Sequence, residues 1–106
     1  MFEINKNDID EIIDRVVLTK KPLIFKHIPA REKKKYIIMC MMMFVFEKDK
    51  VYTEREVNEL LKPMIDDYVM MRRYMIDYGF LGRTEDGHAY WLIKDLETIK
   101  AFKIEE

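Results

Sequence analysis

Residues 36–46, YIIMCMMMFVF, form an unbroken run of 11 apolar and aromatic side chains. About 20 residues are needed to cross a bilayer as a helix, so this run is too short to span one. A helix that is apolar on every side has to be buried on every side. The run therefore predicts a central helix that begins near Ala30 or Arg31 and continues to Phe46. A chain of 106 residues surrounds such a helix only in part. The surface around Met41 and Met42 is expected either to lie under neighbouring elements or to face a second subunit in a homodimer. Nine methionines suit both arrangements, because flexible thioethers fill irregular gaps and adaptable interfaces alike.

The length fits a single domain over residues 1–106. Hydrophobic residues at 49% and charged residues at 37% supply a core and a solvated surface. Three Gly and three Pro exclude a linker-like or largely disordered chain. The single cysteine excludes an internal disulfide and a four-cysteine zinc site. The opening MFEINKNDIDEIIDR lacks the basic start and apolar stretch of a signal peptide. The expectation is a cytoplasmic protein without membrane contact.

Other elements follow from spacing. Ile9, Ile12, Ile13, Val16 and Val17 mark one face of a first helix, capped by Asn7 or Asp8. Residues 19–30, with Pro22 and Pro29, read as an irregular connection. Val51 and Tyr52 suit a short strand. Thr53 and Glu56 fit a capping box that opens a third helix with Val57, Leu60 and Leu61 inward. Pro63 breaks it. A fourth helix is expected over about 64–78, stopped by Gly79. Its apolar face would hold Ile65, Tyr68, Val69, Arg72, Met75 and Ile76, with Met70, Met71 and Tyr74 opposite. Two β-rich runs around Asp86-Gly87 predict a hairpin. A short helix with Leu96, Ile99 and Phe102 inward would close the chain.

Helix, strand, helix, helix and hairpin is the order of a winged helix. The fold class expected is therefore α+β, mostly helical, with a C-terminal β-hairpin wing. The residues also resemble a known family. The matching pieces are Ile28-Pro29-Ala30, the cluster Lys33, Lys34 and Lys35, Tyr52-Thr53-Glu54 and Glu56-Val57-Asn58. They continue through Asp67, Arg72-Arg73, Asp77-Tyr78-Gly79-Phe80-Leu81, Arg83, Asp86-Gly87 and Tyr90-Trp91. Over roughly residues 20–93 the chain resembles the bacterial domain of unknown function 2087. The resemblance implies a winged-helix-like fold of the kind found, alone or behind a separate DNA-binding domain, in predicted bacterial transcription regulators. It implies no catalytic residues.

Charge tests that implication. The net charge of −1 excludes a wholesale basic coat. Residues 20–35 are the exception, with seven basic side chains against Glu32 alone. Lys33, Lys34, Lys35 and Arg73 are thus the candidate nucleic-acid contacts, and DNA binding predicts that they share one surface. The helix that would enter the groove carries Arg72 and Arg73 against Asp66, Asp67 and Asp77. It offers Met70, Met71 and Tyr74 outward, which do not read bases. A protein-interaction or oligomerisation module is the alternative, with Met41, Met42, Met70, Met71 and Tyr74 as interface candidates.

Arg72 falls on an apolar face and needs a partner. Glu56, or Asp66 or Asp67, is expected to form that ion pair. Asn58 is expected to bond to a loop carbonyl or a ligand. His27 and His88 have no metal-ligand spacing, and Cys40 reads as a buried hydrophobe. No phosphate loop or nucleophile elbow is present. The chain is expected to be neither an enzyme nor the carrier of a metal or cofactor.

Overall fold

The structure, a computed structural model, describes residues 2–105. It is a mixed α+β fold with two small antiparallel sheets. Helix α1 spans Lys6–Arg15. Its cap is Asn5, not Asn7 or Asp8. The Asn5 side chain accepts from the Asp8 N–H at 3.0 Å, and the Asp8 carboxylate accepts from the Asn5 N–H at 2.9 Å. Asp8 thus closes a capping box from inside the first turn.

The segment expected to be irregular folds as a hairpin. Strand β1 (Val17–Lys20) pairs antiparallel with β2 (Leu23–Phe25). Pro22 sits in the connection, where no ladder N–H is required of it, and its peptide bond to Lys21 is cis. The breaker was real, but it breaks between two strands. Val17 accordingly leaves the α1 helix and enters β1.

Helix α2 (Glu32–Met42) takes the first part of the apolar run, which then tightens into a 3-10 turn at Met43–Val45. Every residue from 35 to 43 is buried within this one chain. Helix α1 and the C-terminal 3-10 segment (Leu96–Phe102) both pack on α2. Met41 and Met42 are therefore core residues, and the apolar run gives no reason for a second subunit.

Strand β3 (Val51–Tyr52) leads into α3 (Glu54–Leu61). Thr53 and Glu56 form the expected capping box, with N···O distances of 3.1 and 2.8 Å. Helix α4 begins later than expected and spans Tyr68–Asp77. Residues 62–67 form a turn that buries Met64 and Ile65, and the Met64 carbonyl accepts from the Phe25 N–H at 2.7 Å. Asp67 supplies the cap, accepting from the Met70 N–H. Gly79, at φ 77°, ends the helix, and the Phe80 N–H reaches back to the Met75 carbonyl at 2.8 Å.

The inner face of α4 is also rotated from expectation. Met71 and Met75 are fully buried, whereas Val69 and Met70 face out. Met71 is a core residue, not an interface candidate. Apolar side chains occur on most sides of this helix, so spacing alone does not fix its phase.

Strands β4 (Leu81–Arg83) and β5 (Tyr90–Leu92) complete a three-stranded sheet in the order β3-β5-β4. Alternation buries Tyr90 and leaves Trp91 exposed. Trp91 lies opposite Val51 on one side and Gly82 on the other. The core is one cluster running from Ile12 to Ile99. Among the described residues, no helix is long and apolar enough to cross a membrane.

Candidate functional site

Arg72 projects from the middle of α4 toward the start of α3, with its side chain 16% exposed. Its guanidinium pairs with Glu54 at 3.2 Å and also donates to the Asn58 Oδ1. Glu56 is not its partner. That carboxylate stays on the Thr53 backbone N–H, which holds it below the usual carboxylate range. Geometry explains the assignment. Glu54 and Asn58 are four residues apart and share one face of α3, while Glu56 is turned back over the cap. Asn58 therefore serves a side chain and not a loop carbonyl. The i, i+4 spacing of Glu54 and Asn58 was the signal that could have found this pair.

The Arg72 cluster lines a cleft of about 580 Å³ between the start of α3, one side of α4 and the β4–β5 turn. The α4 wall supplies Asp67, Val69, Met70, Arg73, Ile76 and Asp77. The hairpin wall supplies Arg83, Glu85, Asp86, Gly87 and Tyr90. Three guanidinium groups thus meet five carboxylates. Val69 and Met70 are adjacent apolar side chains on α4, 52% and 41% exposed.

The hairpin wall is held by Asp86. Its carboxylate accepts from the Thr84 hydroxyl at 2.7 Å and the His88 N–H at 3.0 Å, and it pairs with His88 Nδ1 at 2.8 Å. These contacts, the Thr84 bond foremost, hold the Asp86 carboxyl well below its ordinary range. They raise the His88 imidazole above its ordinary value. Gly87, at φ 73°, provides the left-handed residue of the turn. Arg83 bends back onto the same turn and donates to the Thr84 and Glu85 carbonyls at 3.0 and 3.1 Å.

The basic cluster lies elsewhere and is largely occupied. Lys33 pairs with Asp8 at 3.0 Å, and Lys34 pairs with Glu11 at 3.3 Å, both along the α1–α2 seam. Asp8 is held below the usual carboxylate range, first by the Asn5 backbone N–H and then by Lys33. Lys35 is only 9% exposed and sits 4.2 Å from the centre of the Tyr74 ring. It is not a surface contact, because its position on α2 turns toward α4. Tyr74 is correspondingly engaged and only half-exposed. Arg73, exposed on α4, lines the cleft, whereas none of Lys33, Lys34 and Lys35 does. From sequence, Glu54 stands only among the family-matching pieces, Val69 is placed on an inner helix face and Glu85 is not a candidate; all three line the cleft.

Cys40 is fully buried, and burial pushes its thiol up to about 12. Among the described residues, no group of three His, Cys, Asp or Glu side chains is placed to hold a metal ion.

No curated protein and no solved structure matches this chain. A family model does match, over residues 24–92, and its description is an uncharacterized protein conserved in bacteria. The match covers more than half of the 106 residues and takes in every residue that lines the cleft, so the chain belongs to the DUF2087 family.

Proposed function

We propose that this chain is a non-catalytic recognition module on a winged-helix-like scaffold, and that the α4–hairpin cleft docks a protein segment. The order α2, β3, α3, α4, β4 and β5, with β5 between β3 and β4, supports the winged-helix reading. A fold of this kind does not fix function, so the surface chemistry decides. The observation that carries the reading is the charge of the cleft. Glu54, Asp67, Asp77, Glu85 and Asp86 outnumber Arg72, Arg73 and Arg83 on the surface a winged helix would turn to a duplex. Phosphate contact needs the opposite balance. Exposed apolar side chains inside a polar rim suit a protein partner.

DNA binding in a transcription regulator is the second reading. The element order favours it, as does Arg73, which is exposed on α4 and has no ion pair among the described residues. Fluorescence anisotropy of labelled random duplex DNA, from low to physiological salt, separates the two. The expected result is no binding at either salt. Binding that falls steeply with salt and is lost in Arg73→Ala would replace the protein-docking reading with the DNA reading.

A further inference from the structure

We infer that the occupant of the α4–hairpin cleft is a basic, amphipathic protein segment, an inference that rests on the protein-docking reading above. The charge left over in the cleft once internal partners are counted selects this class of ligand. Arg72 is engaged by Glu54 and Asn58. Arg83 is folded onto the carbonyls of its own turn. Asp86 is tied to Thr84 and His88. Asp77 and Glu85, on opposite walls, have no ion pair among the described residues. The Asp67 carboxylate accepts only the Met70 N–H among the described residues. Against these three carboxylates stand two cations without an ion pair among the described residues, Arg73 and Arg83, and Arg83 is already turned onto backbone carbonyls, so the cleft keeps an acidic excess.

The complementary ligand follows. Its apolar side chains cover Val69 and Met70, which are otherwise left in water on α4. Its Lys or Arg side chains meet Asp77 and Glu85 across the cleft. One acceptor on the segment satisfies Arg73. An acidic segment, or a nucleic acid, would set its own charge against Asp67, Asp77 and Glu85. The long apolar stems of Lys and Arg add contact area while their heads reach the carboxylates.

The test uses the full chain, labelled with ¹⁵N, and two short amphipathic peptides, one of Leu and Lys and one of Leu and Glu. Amide shifts confined to residues 67–77 and 83–90 are expected with the Leu–Lys peptide only. The double variant Asp77→Asn/Glu85→Gln should keep its circular dichroism and bind the Leu–Lys peptide roughly two- to tenfold more weakly. Equal shifts with the Leu–Glu peptide would overturn the basic class while leaving protein docking in place. Shifts outside the cleft, or none from either peptide, would overturn the inference. Duplex DNA shifting the same residues would remove the docking reading as well.

Discussion

Arg72 shows how one side chain can be read correctly in kind and wrongly in partner. A charge on a mostly apolar helix needed an internal carboxylate, and the sequence said so. It did not say which one, because Glu56 had a competing role at the Thr53 cap. The structure gives Arg72 to Glu54. A double-mutant cycle on thermal or urea unfolding should therefore find a coupling of about 0.5–1 kcal/mol between Arg72 and Glu54, kept small because Glu54 is half-exposed. The Arg72–Glu56 cycle should give none, and the reverse pattern would show the pairing to be wrong. Asp86 and His88 carry the other residue-scale prediction. His88 is raised by its partner, so its contribution to stability is complete below its ordinary value of 6.5 and is lost as pH rises through the raised folded value. Asp86 is lowered, so its contribution is present above its ordinary value of 3.8 and is lost only as pH falls through the depressed folded value. The pair therefore holds the turn best between those two ordinary values. An NMR titration of His88 in Asp86→Asn should show its midpoint falling from that of the parent chain. An unmoved midpoint would mean the contact does not form in solution.

At the scale of elements, legibility followed the strength of the local signal. The Thr53–Glu56 box and the Gly79 stop were readable because a cap depends on two or three nearby residues. Thr53→Ala should cost about 1 kcal/mol in urea unfolding, and no change would mean that α3 is held by packing alone. The β1–β2 hairpin was hidden because Pro22 marks a break equally well before a strand, a helix or a loop. Helix α4 was misplaced at its start because Pro63 competed with Asp67 as the opening signal, and its phase depended on tertiary packing. The cleft was unreadable for the same reason, since three separate segments build it. The sheet offers a test of close approach. A Cβ on Gly82 would lie 2.5 Å from the Trp91 ring nitrogen. Trp91 is 37% exposed and is free to swing outward instead of straining the backbone. Gly82→Ala should therefore shift tryptophan emission to the red and cost about 1–2 kcal/mol. Unchanged emission would place the ring elsewhere.

For the whole molecule, the family match and the packed core do not share the same boundaries. The match stops at residues 24 and 92, yet Ile12, Val16 and Val17 enter the core from one side of it and Ile99 from the other. Helix α1 meets α2 in two ways: through buried Ile12, and through the half-exposed pairs Lys33–Asp8 and Lys34–Glu11. These are unequal in energy. Solvent and salt screen exposed pairs, whereas removing a fully buried Ile side chain leaves a cavity at the central helix. Ile12→Ala should therefore cost about 2–5 kcal/mol, measured by urea unfolding with the slope unchanged. Lys33→Gln and Lys34→Gln should each cost far less, and the difference should shrink further at high salt. If the lysine variants proved as damaging as Ile12→Ala, the flank would be held by charge and its apolar contacts would be incidental. If Ile12→Ala dominates, the segment from 24 to 92 needs its flanks to close the core, and α1 belongs to the same cooperative unit as the cleft.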